Sequence, residues 1–284
     1  MARILDGTAL AATLRDELRA DIERLHQQQL TPRLDVVQIA GDAASDWYVR
    51  AIKRACQQVA ILFNLVQSPA DVTQQALLEQ IHALNGQPET HGMIVQVPLP
   101  RHLDADTIIA AVDPGKDVDG QSPLNLGRLA QGLPAFVPNT PAGGMELLKR
   151  YQIPIAGKHA IVIGRSNIVG KPMALLLLHE HATVTIAHSR TPDLAATIRN
   201  ADIVVAAVGK PGIVHGSMLK PGAVVIDFGI NEVGPKTIVG DVDYASAVEV
   251  ASAITPVPGG TGPVTNMMLL RNVVRAAEQQ LRSA

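Results

Sequence analysis

The chain has 284 residues, 47% of them apolar and 18% charged, enough to bury one large or two ordinary cores. A net charge of −2 and an aromatic content of 2% exclude the basic, stacking surface of a nucleic-acid binder and leave no electrostatic footprint for an anionic membrane. The single cysteine, Cys56, excludes an internal disulfide and a cysteine-based zinc site, and reads as a small buried apolar residue.

The opening "MARILDGTAL" has no basic stretch followed by a long apolar one, so no signal peptide is expected. "LDVVQIA" (34–40) predicts a strand, 45–59 a helix starting near Ser45 or Asp46, and "AILFNLV" (60–66) a second strand. Residues 72–86 carry helical spacing that stops at Gly86, and "GMIVQVPLP" (92–100) is a buried strand closed by prolines. This alternation is the signature of a parallel sheet covered by helices. Residues 113–144 break the rhythm with Pro, Gly, Asp and Asn, as a functional loop or a domain junction does.

A second series follows. Strands are expected at 159–164, 182–189, 202–209 and 223–230, and helices from about 171, near 192–200 and from about 264 to the end. "MALLLLHEHA" is too short to span a bilayer. The fold class is therefore α/β, with two α/β domains flanking a cleft. A cytoplasmic protein without a membrane or nucleic-acid partner is expected.

"HAIVIGRSNIVGKPMALLLL" reads as strand, glycine turn and helix, a place for a phosphate against backbone N–H groups at a helix start. It is neither a Walker loop nor the full G-x-G-x-x-G pattern. The next strand ends in "AHSRT" without the carboxylate that would hold an NAD ribose. Ser189 and Arg190, with Arg165 approaching from the glycine turn, suit a 2′-phosphate, so NADP is favoured over NAD. The alternative leaves both arginines as solvated charges. "DFGINE" (227–232) lacks the other kinase motifs, and "HEH" (179–181) lacks zinc-helix spacing.

"VQVPLP" (95–100), "KDVDG" (116–120), "GRSNIVGKP" (164–172) and "PVPGGTGPVT" (256–265) stand in this order with wide spacing. Together they resemble the methylenetetrahydrofolate dehydrogenase/cyclohydrolase (FolD) family over nearly the whole chain. The resemblance implies a folate-binding catalytic domain (1–140 plus 264–284), a Rossmann-like NADP domain (141–263) and a homodimer joined through the NADP domains. It implies hydride transfer from 5,10-methylenetetrahydrofolate to NADP+, then ring opening of the methenyl product by water. By the same resemblance, Tyr48 stacks on the aminobenzoate ring, Gln96 bonds the catalytic lysine, and Asp119 grips the pterin. Gly259 and Gly260 lie against the folate. Gly164, Arg165 and Ser166 form the phosphate turn, and Ile230 sits beside the nicotinamide. Read without the resemblance, Tyr48 is a packing residue, Gln96 a strand-end polar residue, and Asp117 and Asp119 turn formers.

One position departs from the family. Anchored on Tyr48 and on Ala55-Cys56, the catalytic-lysine position falls on Ile52, and Lys53 and Arg54 become flanking surface charges. Aliphatic carbon cannot move a proton, and loss of an acid–base group costs about 10²–10⁴ in rate. The expectation is a dehydrogenase with weak or absent cyclohydrolase activity; the alternatives are the fully bifunctional enzyme producing 10-formyltetrahydrofolate and a non-catalytic folate- or NADP-binding regulator. A π-bulge between Tyr48 and Lys53 would bring Lys53 round as a substitute. Asn139 for a common cysteine and Thr261 for an aliphatic residue are two smaller departures.

Overall fold

A computed structural model describes residues 2–234 and 237–283. The last residue of the expected final helix, Ala284, lies outside them. The elements run β1 (Arg3–Ile4), α1 (Gly7–Gln27), β2 (Arg33–Ile39), α2 (Ala43–Gln58), β3 (Leu62–Ser68), α3 (Gln74–Asn85), β4 (Gly92–Val95), α4 (Ala105–Ala110), α5 (Pro123–Ala130) and α6 (Asn139–Arg150). They continue with β5 (His159–Ile163), α7 (Gly170–His179), β6 (Thr183–Ala187), α8 (Leu194–Ile198), β7 (Ile203–Ala206), β8 (Val224–Asp227), β9 (Asn231–Gly234), β10 (Thr237–Val239), α9 (Tyr244–Ala247), β11 (Ala253–Ile254) and α10 (Thr261–Ser283).

The chain divides into two compact units. One holds Leu14–Val137 and Met268–Ala284, the other Met1–Thr13 and Pro138–Met267. The sequence reading placed residues 1–140 together, and the structure departs from it at the start. β1 pairs in parallel with β11, and Leu5 N–H donates to Ile254 O, so the first residues complete a sheet of the second unit. No local pattern in a two-residue strand announces so distant a partner.

In the first unit β2 lies between β3 and β4, all parallel. One face of this sheet buries Val37, Ile39, Met93 and Val95 against Leu77, Ile81, Leu84 and Ile108. α3 begins where the Thr73 hydroxyl accepts from Ala76 N–H and stops at Gly86. The buried Lys116 ammonium donates to the carbonyls of Leu84, Asn85 and Gln87, closing that helix end with a cation. β3 begins two residues later than expected, because Val59 and Ile61 N–H both return to Cys56 O and Ala60 takes φ 61° to end α2.

The second unit carries a six-stranded parallel sheet, β1-β11-β8-β7-β5-β6. β5, β7 and β8 are apolar almost throughout because both faces are covered. Strand order reverses at β5, whose neighbours β6 and β7 both follow it in sequence. In an open parallel sheet, ligands bind beyond the carboxyl ends of the strands at such a reversal. The irregular 113–144 stretch contains α5, started by Ser122 with Pro123 in the first turn, and the start of α6.

Candidate active site

In the first unit Gln96 lies just past the carboxyl end of β4, and Tyr48 lies on α2, which follows the carboxyl end of β2. The Gln38 amide on β2 donates to Ser45 Oγ and Asp46 Oδ1, at 3.2 and 2.7 Å, and so ties down the start of α2. Tyr48 follows, half-buried, beside an exposed Trp47. Burial, and then the Asp119 carboxylate, push the Tyr48 phenol well above its usual range, so it stays a neutral hydroxyl. The structure thus brings Tyr48 and Asp119 into one electrostatic neighbourhood although 71 positions separate them in the chain.

The two acids of "KDVDG" have different surroundings. Asp117 is buried and builds the turn. Its carboxylate accepts from Gln121 N–H, Ser122 N–H and the Asn125 amide. Asp119 is more exposed, and its Oδ2 accepts from the Gln121 side-chain amide. Gln121 and Gln38 escaped the sequence reading, because the only signal was an amide next to a motif or inside an apolar strand. Gln96 follows β4, its side chain buried and its N–H bonded to Val37 O at 2.9 Å.

α2 is α-helical from end to end, with no π turn. Ile52 is 1% exposed, whereas Lys53 and Arg54 lie on the exposed face. The geometry that would bring Lys53 to the Tyr48 side is therefore missing, and the expectation of Lys53 as a substitute loses its structural basis.

In the second unit, Gly164 ends β5 with φ +125° and its N–H bonded to Ala187 O. A Cβ at Gly164 would meet Ala207 O at 2.2 Å, and one at Gly170 would meet Gly164 O at 2.3 Å. Both glycines are thus required for the tight strand–turn–helix. The Ser166 hydroxyl accepts from Val169 and Gly170 N–H, and Ser166 O accepts from Lys171 N–H. Pro172 has no N–H, and Met173 N–H bonds Val169 O. The first donors of α7 are therefore already used. Among the described residues, the N–H groups of Arg165, Ser166, Asn167 and Ile168 meet no protein acceptor. The expected phosphate donors thus move from the helix end to the exposed turn before it.

The strand beside β5 ends at the turn His188–Thr191, closed by His188 N–H to Thr191 Oγ1 and Thr191 N–H to His188 O. This turn leaves Ser189 and Arg190 exposed. Arg165 and Arg190 thus follow the ends of adjacent strands, and among the described residues neither makes an ion pair. Free amides flanked by two unpaired guanidinium groups fit a dinucleotide carrying an extra phosphate.

Ile230, 68% exposed, leads into β9. Gly259 takes φ +98°, and its carbonyl accepts from Thr8 N–H at 3.1 Å. Gly260 packs so tightly that a Cβ would meet Pro256 O at 2.4 Å. Both glycines belong to the second unit, whereas Tyr48, Gln96 and Asp119 belong to the first. Thr261 donates its hydroxyl to Asp227 O at 3.0 Å. Asn139 is buried as the first residue of α6. Among the described residues no helix is long and apolar enough to cross a membrane.

Two family models match the chain in order. The tetrahydrofolate dehydrogenase/cyclohydrolase catalytic domain covers residues 5–119, and the NAD(P)-binding domain of the same family covers 138–281. A protein of Roseiflexus sp. (strain RS-1) called bifunctional protein FolD is 61% identical over 99% of this chain and 98% of its own length. The crystal structure of the bifunctional FolD enzyme of Campylobacter jejuni superposes with a TM-score of 0.97 at 41% identity, covering 98% of this chain and 99% of that one. The Trypanosoma brucei enzyme, solved with NADP cofactor and inhibitor, superposes with a TM-score of 0.95 at 38% identity, covering 99% of both chains.

Proposed function

Because the chain belongs to the tetrahydrofolate dehydrogenase/cyclohydrolase family, we propose that it is an NADP-dependent 5,10-methylenetetrahydrofolate dehydrogenase that also hydrolyses the methenyl product to 10-formyltetrahydrofolate. One observation carries this reading. Both family domains match in order, so a folate half and a dinucleotide half stand in one chain.

The Asp119 carboxylate, oriented by the Gln121 amide, accepts the pterin's N–H donors. The Tyr48 ring lies flat against the aminobenzoate, and its hydroxyl remains a donor because the phenol keeps its proton. Gln96 offers a buried amide, and Gly259 and Gly260 bring bare backbone up to the folate. On the other side, the amides of Arg165–Ile168 bind phosphate oxygens, Arg165, Ser189 and Arg190 select the 2′-phosphate, and Ile230 flanks the nicotinamide. Bound NADP+ supplies the ring that accepts the hydride. Such a transfer asks the protein chiefly to hold two carbons at near-attack distance.

Hydrolysis is where Ile52 matters. The bifunctional name of the 61% identical relative supports a working second step over the loss expected from Ile52 alone. The methenyl carbon is cationic and attracts water without a strong base, and solvent can take the proton. A second reading, carried by the buried aliphatic Ile52, keeps the dehydrogenase and slows hydrolysis. Separate assays decide between them, one following methenyltetrahydrofolate formation with NADP+ and NAD+, the other its hydrolysis. Under the bifunctional reading Ile52→Lys speeds hydrolysis less than about tenfold, whereas a gain of about 10²–10⁴ supports the second reading. Failure to form methenyltetrahydrofolate with either dinucleotide overturns the whole proposal.

Two further parts are proposed. The chain acts as a homodimer through its dinucleotide units, supported by β6, which ends its sheet among the described residues and leaves Ile186 43% exposed. It works in the cytoplasm on small molecules.

A further inference from the structure

Two buried acids outside the residues assigned so far, Asp227 and Asp241, organise the carboxyl ends of β7 and β8, where the dinucleotide is proposed to bind. Asp241 is 0% exposed. Its carboxylate accepts from the consecutive amides of Val208, Gly209 and Lys210 at 2.6, 3.0 and 2.9 Å, and from the Asn231 amide at 2.9 Å. Asp227 is 2% exposed and accepts from Gly229, Asp241 and Val242 N–H at 2.8, 3.0 and 2.9 Å. Its own N–H donates to Thr255 Oγ1, and its carbonyl accepts from Thr261 Oγ1.

Seven neutral donors thus serve two carboxylates, with no cation among them. Burying charge without a counter-ion is costly unless every lone pair is served in good geometry. Burial, opposed by the three amides, and the neighbouring Asp241 together push Asp227 up to about 6. The sequence also makes room for the pair. A Cβ at Gly240 would meet Asp227 Oδ2 at 1.9 Å, and one at Gly229 would meet Asp241 Oδ1 at 2.4 Å. With their lone pairs engaged by amides, the two acids do not form a metal site.

The held segments identify the purpose. Val208–Lys210 follow β7, and Gly229–Asn231 follow β8, the neighbouring strand. The N–H groups of Val208–Lys210 and the Asn231 side-chain amide are drawn inward to Asp241, and Gly229 N–H to Asp227. Their outward faces are apolar, with Val208 37% and Ile230 68% exposed and nothing within 4 Å of a Cβ built on Gly209. Exposed aliphatic groups on a tightly fastened backbone suit a flat ring that must be held at a set height.

We propose that Asp241 and Asp227 are positioning residues for the dinucleotide, Asp241 clamping the Val208–Lys210 loop to Asn231 beside Ile230, and Asp227 fixing the backbone that carries Asp241. The inference rests on the family reading above.

The test compares wild type, Asp241→Asn and Asn231→Ala. For each variant the KM values for NADP+ and for methylenetetrahydrofolate are measured, with NADP+ binding followed by calorimetry and folding by circular dichroism. Misplacement by about 1 Å at a reacting centre costs up to about 10²-fold. The expected result is an NADP+ KM raised at least about tenfold in Asp241→Asn and about threefold or more in Asn231→Ala, with the folate KM within about twofold of wild type in both. Asn231→Ala keeps both carboxylates and the six backbone N–H groups that donate to them and removes the side-chain bond to Asp241, so it decides the matter if Asp241→Asn does not fold. A merely structural role would lower melting temperature and active fraction while leaving both KM values alone, and that result overturns the proposal. If wild type itself binds no NADP+, the family reading and this inference fall together.

Discussion

The Tyr48 hydroxyl keeps its proton because the side chain is buried and because the Asp119 carboxylate stands near it. A negative charge close to a phenol disfavours the phenolate, so removing the charge lowers the pKa. Among the three tyrosines, the one that ionises last in an alkaline absorbance titration should vanish in Tyr48→Phe and ionise earlier in Asp119→Asn. Asp119→Asn should also raise the folate KM, at about 1.5–3 kcal/mol for a lost charge-assisted bond. Unchanged phenol titration in a folded Asp119→Asn protein would separate the two residues.

Arg165 and Arg190 follow adjacent strand ends, and among the described residues neither guanidinium makes an ion pair, so a 2′-phosphate has two such groups to meet. Arg165→Gln and Arg190→Gln should each lower kcat/KM for NADP+ by about tenfold to 10²-fold, the worth of a charge-assisted hydrogen bond or two. The same constants for NAD+, which lacks that phosphate, should move by less than about threefold, because the lost contacts are those of the 2′-phosphate alone. Equal losses with both dinucleotides would assign the arginines to the shared pyrophosphate instead.

How much of this was legible in the sequence depends on how far apart the interacting residues lie. β2, α2 and α3 follow from hydrophobic spacing and, for α3, from Gly86 at its end, all within a few residues of one another. The glycine turn after β5 was legible too, because Gly164 and Gly170 are close in sequence and in space. The start of β3 was misplaced because the way α2 unwinds, through Ala60 with positive φ, leaves no mark in composition. β1 was missed because its partner lies about 250 positions away. The Asp227–Asp241 pair stayed hidden for a chemical reason. Its partners are backbone amides, which every residue type possesses, so "DFGINE" displayed an aspartate but not what it holds.

Asp227 also offers a thermodynamic handle. Its carboxyl is pushed up to about 6 in the folded protein, whereas an unfolded aspartate titrates near 3.9. Between these values the folded chain binds a proton that the unfolded chain does not, so this group adds stability as pH falls through about 6 and takes it away as pH rises. Asp227→Asn cannot titrate, and contributions from all other groups largely cancel when the two proteins are compared. Urea unfolding at pH 7 and pH 5 should therefore show wild type gaining about 1.4 kcal/mol on the variant at the lower pH. Protonation also turns one acceptor oxygen into a donor and weakens an amide bond that fixes Asp241. The NADP+ KM of wild type should then rise below about pH 6, whereas that of Asp227→Asn should stay flat across the same range. A parallel pH response of the two proteins, in stability or in KM, would mean that Asp227 stays ionised throughout.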